Sequence, residues 1–355
     1  MSAAVAISGA GRAAPGDALT CAGAAVRAAL TDAGTTVRDV DGLLSCGTDG
    51  PSVADLFGFE LDWRAGVHEA DEVGAAVVQA VDAVAAGRVR TLVCVDVVGI
   101  PDPPPGADRF GVETASGWAS WHAPYGAVDA TVDVALQVRA YIERFGLTRA
   151  ELARIPLVAA ANAGRDLSLR DYLSAPPLAD PLCVHDRART VGGAAAVVLR
   201  PAAAAGSRSV EVARRGAAYA VSPLPEQSAV PAPERAAAQL LADLGGLPPG
   251  VLLIGDEYSF RVVTWLEALR LCGPGEAGTV LASADTITRG GALPLNPHGG
   301  HLGLGRRPDL DLAVEAVLQM RADAGTSQLD VPPESSVVAL GGTLSAGCLL
   351  LRRSG

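Results

Sequence analysis

The sequence predicts an α/β fold made of two pseudo-repeated βαβαβ halves, stacked as an α/β/α/β/α five-layer core with an inserted loop domain. Three observations predict it. Apolar strand-like runs alternate with helix-like segments, the pattern of helices covering a sheet. The order of elements in the first half recurs in the second. Apolar residues make up 49% of the chain but aromatics only 4%, so the layers must pack through Ala, Val and Leu.

The first half opens with an apolar strand over residues 4–8. A helix follows over 20–33, with Ala and Val at helical spacing and Gly34 as its stop. A strand over 40–45 comes next. The second half repeats this with a strand over 209–213, a helix over 232–244 stopped by Gly245 and Gly246, and a strand over 251–254. The next pair also corresponds. A helix over 73–86 and a strand over 91–97 match a helix over 310–322 and a strand over 336–340. Each half closes on a strand, 194–199 and 347–351. Alternating strands and helices lead us to expect parallel pairing. The halves divide as 1–205 and 206–355.

Residues from about 100 to 190 fit neither half and read as the loop domain, a lid or insertion over a site. The run 101–105 is a stiff Pro-rich connector. Trp118, Trp121, Pro124 and Tyr125 form an aromatic-rich loop. A helix over 132–145 ends at Gly146. Thr148 caps the next helix, with Glu151 three residues on completing a capping box.

Composition removes several function classes. The formal charge of −11 argues against a nucleic-acid backbone as partner, which needs a basic face. The chain contains no Lys, so Schiff-base aldolase chemistry and an internal aldimine with pyridoxal phosphate are excluded. The six Cys show no CxxC pair and no zinc spacing, so no metal site is expected. Cys94 and Cys348 lie in apolar runs and read as buried small hydrophobes. No signal segment and no uncharged apolar run of about 18 residues is visible. A cytoplasmic protein without a membrane span is the expectation.

The most informative stretch is 295–307, Leu-Asn-Pro-His-Gly-Gly-His-Leu-Gly-Leu-Gly-Arg-Arg. Asn296, Gly299, Gly300 and Gly305 resemble the active-site loop of the thiolase superfamily. Further matches run through the chain in the family's order. They include Arg38-Asp39-Val40-Asp41-Gly42, Phe145-Gly146-Leu147-Thr148, Asp171-Tyr172-Leu173, Pro181-Leu182 through Asp186, and the run from Gly192 to Val197. The layout is similar to the sterol-carrier-protein-type thiolases and their bacterial lipid-transfer relatives.

That resemblance implies a four-part chemistry. A Cys at a helix start attacks the thioester, with its thiolate favoured by the helix N-terminus. A His from a Gly-His-Pro loop activates it, a second Cys in a Cys-x-Gly-Gly turn moves the α-proton, and a polar residue before a Phe polarises the carbonyl. Here the nucleophile falls on Ala70, the His on Arg306 and the second Cys on Ala339. The polar residue falls on Tyr258, or on Ser259 with a one-residue gap. Ala has no nucleophile, and Arg cannot act as a base near neutral pH. A Cys acyl-enzyme is therefore not expected.

Other residues stay as candidates, each beside a plainer role. His298 and His301 flank Gly299-Gly300, whose missing side chains would let a ligand approach the backbone. Either His is an acid/base near a thioester or a hydrogen-bonded loop residue. Tyr258 is the acid/base of a retro-aldol step, as in relatives of steroid side-chain breakdown, or a filler of the vacated pocket. His68, Glu69, Asp71 and Glu72 crowd the nucleophile position and read as helix capping or as a buried base. Arg306 is grouped with Asn296, Gly299, Gly300 and Gly305 as substrate-binding. Arg88, Arg90, Arg214 and Arg215 are solvated charges, or one of them lines a phosphopantetheine entrance.

Three functions stay open. The leading expectation is a catalytically degenerate protein that binds or scaffolds an acyl thioester in lipid or secondary metabolism. The alternatives are a Cys-independent retro-aldol lyase and an acyltransferase with non-standard residues. CoA or phosphopantetheine thioester is the expected ligand or substrate, with no bound cofactor. A homodimer paired through sheet edges is expected, with an OB-fold/zinc-ribbon protein, or an intact thiolase or ketosynthase, as the partner the resemblance implies.

Overall fold

The computed structural model describes residues 3–67, 72–99, 124, 126–127, 130–220, 231–242, 244, 246, 250–283, 285–342 and 344–353. Ala70 and its neighbours His68, Glu69 and Asp71 lie outside the described residues. So do the Pro-rich run 101–105, Trp118, Trp121 and Tyr125.

The first half contains strands β1 (Val5–Ala13), β2 (Gly42–Cys46), β3 (Trp63–Val67) and β4 (Leu92–Val98), with helices α1 (Ala18–Asp32), α2 (Gly50–Phe57) and α3 (Val73–Ala85). The insertion supplies α4 (Ala130–Phe145), α5 (Arg149–Leu152), α6 (Arg154–Asn162), α7 (Leu169–Ser174) and the small pair β5 (Pro177–Ala179) and β6 (Leu182–Cys183). β7 (Gly193–Pro201) returns to the main sheet. The second half contains β8 (Val210–Tyr219), α8 (Ala232–Leu240), β9 (Val251–Ile254), α9 (Ser259–Ala268), α10 (Ala277–Ala282), α11 (Gly300–Leu304), α12 (Leu310–Arg321), β10 (Ser335–Gly341) and β11 (Ser345–Arg353).

Nine strands run in the order β3-β2-β4-β7-β1-β8-β11-β10-β9. The two halves meet where β1 pairs β8, Val5 to Val212 through Ile7 to Val210. Expected parallel pairing holds only toward the ends, where β2 joins β3 and β4, and β9 joins β10. The four middle strands pair antiparallel. The reason is connectivity. β7 and β11 enter from outside a strand–helix–strand unit, so no crossover forces them parallel.

Strand alternation builds the layers. In β4, Leu92 and Cys94 face a central cluster, while Val93, Val95 and Val97 face the outer helices α1 and α2. In β10, Val338 and Leu340 face the same central cluster, while Val337 and Ala339 face α8 and α9 on the other outer side. Both faces of each strand are buried, which is why these strands read as unbroken apolar runs. α3 and α12 fill the central layer between strands of both halves. α3 is buried all round except at Gln79 and Asp82, as a helix between two sheet layers must be. Its first turn meets β11 backbone to backbone, since a Cβ on Gly347 would lie 2.1 Å from the Gly74 carbonyl carbon. No described helix is long and apolar enough to cross a membrane.

Candidate functional site

Polar residues gather at the carboxyl ends of β2, β4, β9 and β10, where the helix starts of α9, α11 and α12 converge. Strand carboxyl ends are where open α/β sheets bind ligands. Cys46 ends β2 and pairs in register with Asp96 near the end of β4. Asp96 is buried and accepts the Leu310 backbone N–H of α12 at 3.1 Å. Burial pushes the Asp96 carboxyl up, while the N–H groups of Leu310 and Asp309 and the Arg306 charge push it back down. Burial, then the Asp96 charge, holds the Cys46 thiol well above its ordinary range. The fold thus brings one cysteine to this region, but as a protonated thiol, which is a poor nucleophile.

The 295–307 segment is fastened from several sides. Leu295 bridges Leu252 in parallel, extending the sheet beyond β9. Asn296 sits at a positive φ of 41°, a conformation Asn tolerates better than most residues. Its side chain accepts the Ile254 N–H and donates to the Ile254 carbonyl, both at 2.9 Å. Asn162 donates to the Leu295 and Asn296 carbonyls, and Arg289 donates to the Pro297 carbonyl. Asn296, expected from its place in the loop as a substrate-binding residue, thus clamps the backbone at the end of β9 with its side chain.

The glycines also differ from expectation. Their missing side chains leave room for protein, not for a ligand. A Cβ on Gly299 would meet Ala163 of the α6 end at 2.8 Å, and one on Gly303 would meet the Ala159 carbonyl at 2.3 Å. One on Gly300 would meet the Asp256 carboxylate at 2.4 Å, and one on Gly305 would meet Val191 at 2.2 Å. α11 packs this closely because small residues face each other across the contact. Arg306 is pinned by its backbone, donating to the Arg189 carbonyl and accepting from the Val191 and Gly192 N–H groups.

Asp256 is buried and accepts the His301 backbone N–H at 2.7 Å. Burial raises its carboxyl, and the His301 charge and N–H oppose that rise. His301 is buried, neither ring nitrogen has a hydrogen-bond partner among the described residues, and Nδ1 lies 3.7 Å from Asp309 Oδ1. A buried polar group left unpaired costs about 1–3 kcal/mol. His298 is also buried, with Nδ1 unpaired among the described residues. Burial pushes it down to about 4, partly countered by Glu315 and Asp311. Those two carboxylates hold Arg12 of β1, so this network ties α12 to the first half.

Tyr258 precedes α9 in an extended conformation. Its hydroxyl lies 3.0 Å from Thr131 Oγ1 on α4. One turn on, the buried Arg261 pairs with Glu257 at 3.2 Å. The Arg261 guanidinium occupies the place a Gly342 side chain would take, so the Gly341-Gly342 turn wraps a buried cation. Ala339 is buried on β10 between Ile254 and Cys348. A cavity of about 600 Å³ lined by Glu234, Arg235, Glu267, Arg270 and Cys272 opens at the far end of α9, about 15 Å along the axis from Tyr258. It does not belong to this cluster. No group of His, Cys, Asp and Glu among the described residues is arranged to hold a metal ion.

The thiolase C-terminal domain-like family matches residues 232–352. That span covers β9 to β11, the 295–307 loop and Tyr258. Over these residues the chain resembles the thiolase superfamily.

Several relatives match nearly end to end. A 17-hydroxy-3-oxo-4-pregnene-20-carboxyl-CoA lyase of Mycobacterium tuberculosis is 28% identical, covering 92% of this chain and 91% of the relative. A steroid side-chain-cleaving aldolase of Thermomonospora curvata is 28% identical over 90% and 88%. A solved Ltp2-ChsH2(DUF35) aldolase superposes with a TM-score of 0.86 at 26% identity, covering 98% and 97%.

Against the thiolase pattern, the structure brings Tyr258, His301 and Arg306 to one end of the sheet, with His298 on the Arg12 side of the loop. Ala339 lies on the α9 side of β10, and Ala70 is outside the described residues. Sequence reasoning missed Thr131, Arg261, Asp96, Asp256 and Asp309. Asp256 and Arg261 carried a signal, as charged residues just beyond an apolar strand and inside an apolar helix. Thr131 carried none, because its partner is 127 residues away.

Proposed function

We propose that this protein is a Cys-independent retro-aldol lyase that cleaves a β-hydroxyacyl thioester. The observation that carries the reading is the buried Tyr258 hydroxyl, held by Thr131 at the strand ends, in a chain whose nearly full-length relatives include a CoA lyase and a side-chain-cleaving aldolase. A degenerate scaffold was the leading expectation from Ala70, Arg306 and Ala339. These relatives favour the lyase alternative, since a retro-aldol step needs neither Cys nor the family His.

In the proposed step, Tyr258 acts as the phenolate, having given up its own proton beforehand, and becomes the phenol as it takes the proton of the β-hydroxyl. The Cα–Cβ bond breaks, its electron pair moves to Cα, and the β-carbon leaves as a carbonyl. The resulting thioester enolate takes a proton at Cα, for which His301 beside Asp309 is the candidate donor. Arg261 is a buried cation on the same helix start, suited to an enolate oxygen. Acid/base groups of this kind contribute on the order of 10²–10⁴ in rate.

The thioester is carried by CoA in this reading, and the protein acts in the cytoplasm. A small OB-fold/zinc-ribbon protein is the proposed partner, by analogy with the aldolase solved with ChsH2(DUF35). Two copies pair through β3, which ends the sheet. Kinetics test the residues. In the chain purified with its partner, Tyr258→Phe and His301→Ala should each lower kcat by on the order of 100-fold, with KM little changed. Full turnover in both would overturn the assignment.

A further inference from the structure

We infer that Asp186 is a positioning residue for Tyr258, an inference that rests on the proposed lyase reading. Asp186 has no exposed surface. Its Oδ1 accepts the Ser259 hydroxyl at 2.6 Å and the Tyr172 hydroxyl at 2.8 Å. Its Oδ2 accepts the Tyr172 hydroxyl at 2.9 Å and the Cys183 N–H at 2.9 Å. Donors converge on both oxygens, which suits a carboxylate. An amide would turn its own N–H groups toward some of them.

The position of these bonds gives them a function. Ser259 is the first residue of α9 and directly follows Tyr258. Arg187, next to Asp186, pairs with Tyr258 in an antiparallel bridge, and the Ala188 N–H donates to the Glu257 carbonyl at 2.8 Å. The inserted segment thus grips Glu257, Tyr258 and Ser259 in succession. With the backbone fixed on one side and the hydroxyl held by Thr131 on the other, the phenol has one place to stand. Misplacing a reacting group by about 1 Å costs on the order of 100-fold.

Ser259→Ala tests this most cleanly. It cuts the link from Asp186 to the start of α9 and leaves the Tyr172 and Cys183 bonds intact. Asp186→Asn is the second variant. Two readouts are needed, kcat against KM and the ¹³Cζ resonance of Tyr258 in tyrosine-labelled protein, assigned by its loss in Tyr258→Phe. The expected result is a shifted Tyr258 line in Ser259→Ala, unmoved Tyr141 and Tyr219 lines, and a kcat loss of about tenfold at constant KM. A shifted line with unchanged kcat supports the positioning and overturns the catalytic role of Tyr258. An unmoved Tyr258 line in Ser259→Ala, with only thermal stability lowered, makes Asp186 a structural tie and overturns the inference.

Discussion

The Tyr258 hydroxyl and Thr131 Oγ1 stand 3.0 Å apart, joining the start of α9 to the first turn of the inserted helix α4. One end of this bond belongs to the superfamily-matched region and the other to the insertion. The insertion thereby reaches the candidate site. Thr131→Val keeps the shape and removes the oxygen. It should lower kcat by about tenfold and leave the fold intact, as a lost orienting bond does. Steady-state kinetics with circular dichroism check this, and an unchanged kcat removes Thr131 from the mechanism.

The α11–α6 contact predicts a packing penalty. Gly303→Ala would place a Cβ 2.3 Å from the Ala159 carbonyl, so a backbone must move. A cost of about 1–3 kcal/mol is expected, the usual scale of overpacking. Urea denaturation measures it. Gly206→Ala, where a Cβ meets nothing within 4 Å, serves as the control and should fall within about 0.5 kcal/mol of the parent.

Asn296 predicts a stability effect in place of a binding effect. Asn296→Ala strands the Ile254 N–H and carbonyl in a buried place, at a cost of roughly 2–4 kcal/mol for two lost partners. The KM of the remaining folded protein should not change. A raised KM with unchanged stability would return Asn296 to the role of a ligand contact.

His298 predicts a pH dependence. In the folded protein burial holds it down to about 4, facing Glu315, Asp311, Arg12 and His301. In the unfolded chain it titrates near its ordinary 6.5. Between these values the unfolded chain binds more protons, so stability falls as pH drops from about 6.5 toward 4, by up to roughly 3 kcal/mol. His298→Gln should flatten that slope. Asp311 and Glu315, both held low chiefly by Arg12 and His298 against burial, lose their contribution at lower pH. Denaturation curves from pH 7 to 4 decide it, and an unaltered slope in the variant contradicts the assignment.

Much of the fold was legible because its cause is local. Strands buried on both faces must be apolar throughout, so 251–254 and 91–97 stand out in the sequence. The Thr148–Glu151 capping box was visible because it is written within four residues, and it forms at both ends. Strand direction was not visible, since nothing inside β7 or β1 states which neighbour it will meet. The loop glycines show the same limit. Their spacing identifies the loop, but a missing side chain looks the same whether a ligand or an Ala159 carbonyl fills the gap. Tyr258 was singled out through its place before Phe260. Thr131 and Asp186, which hold it, come from the insertion and could be joined to it only in three dimensions.

The central claim concerns the fate of one carbon–carbon bond. The most direct measurement incubates the protein, together with the proposed OB-fold/zinc-ribbon partner, with a β-hydroxyacyl-CoA branched at the β-carbon, and identifies the products by mass spectrometry. The account predicts a ketone together with the shortened acyl-CoA, in equal amounts and without release of free CoA. Intact substrate after exhaustive incubation, or free CoA accompanying acyl transfer, would contradict it.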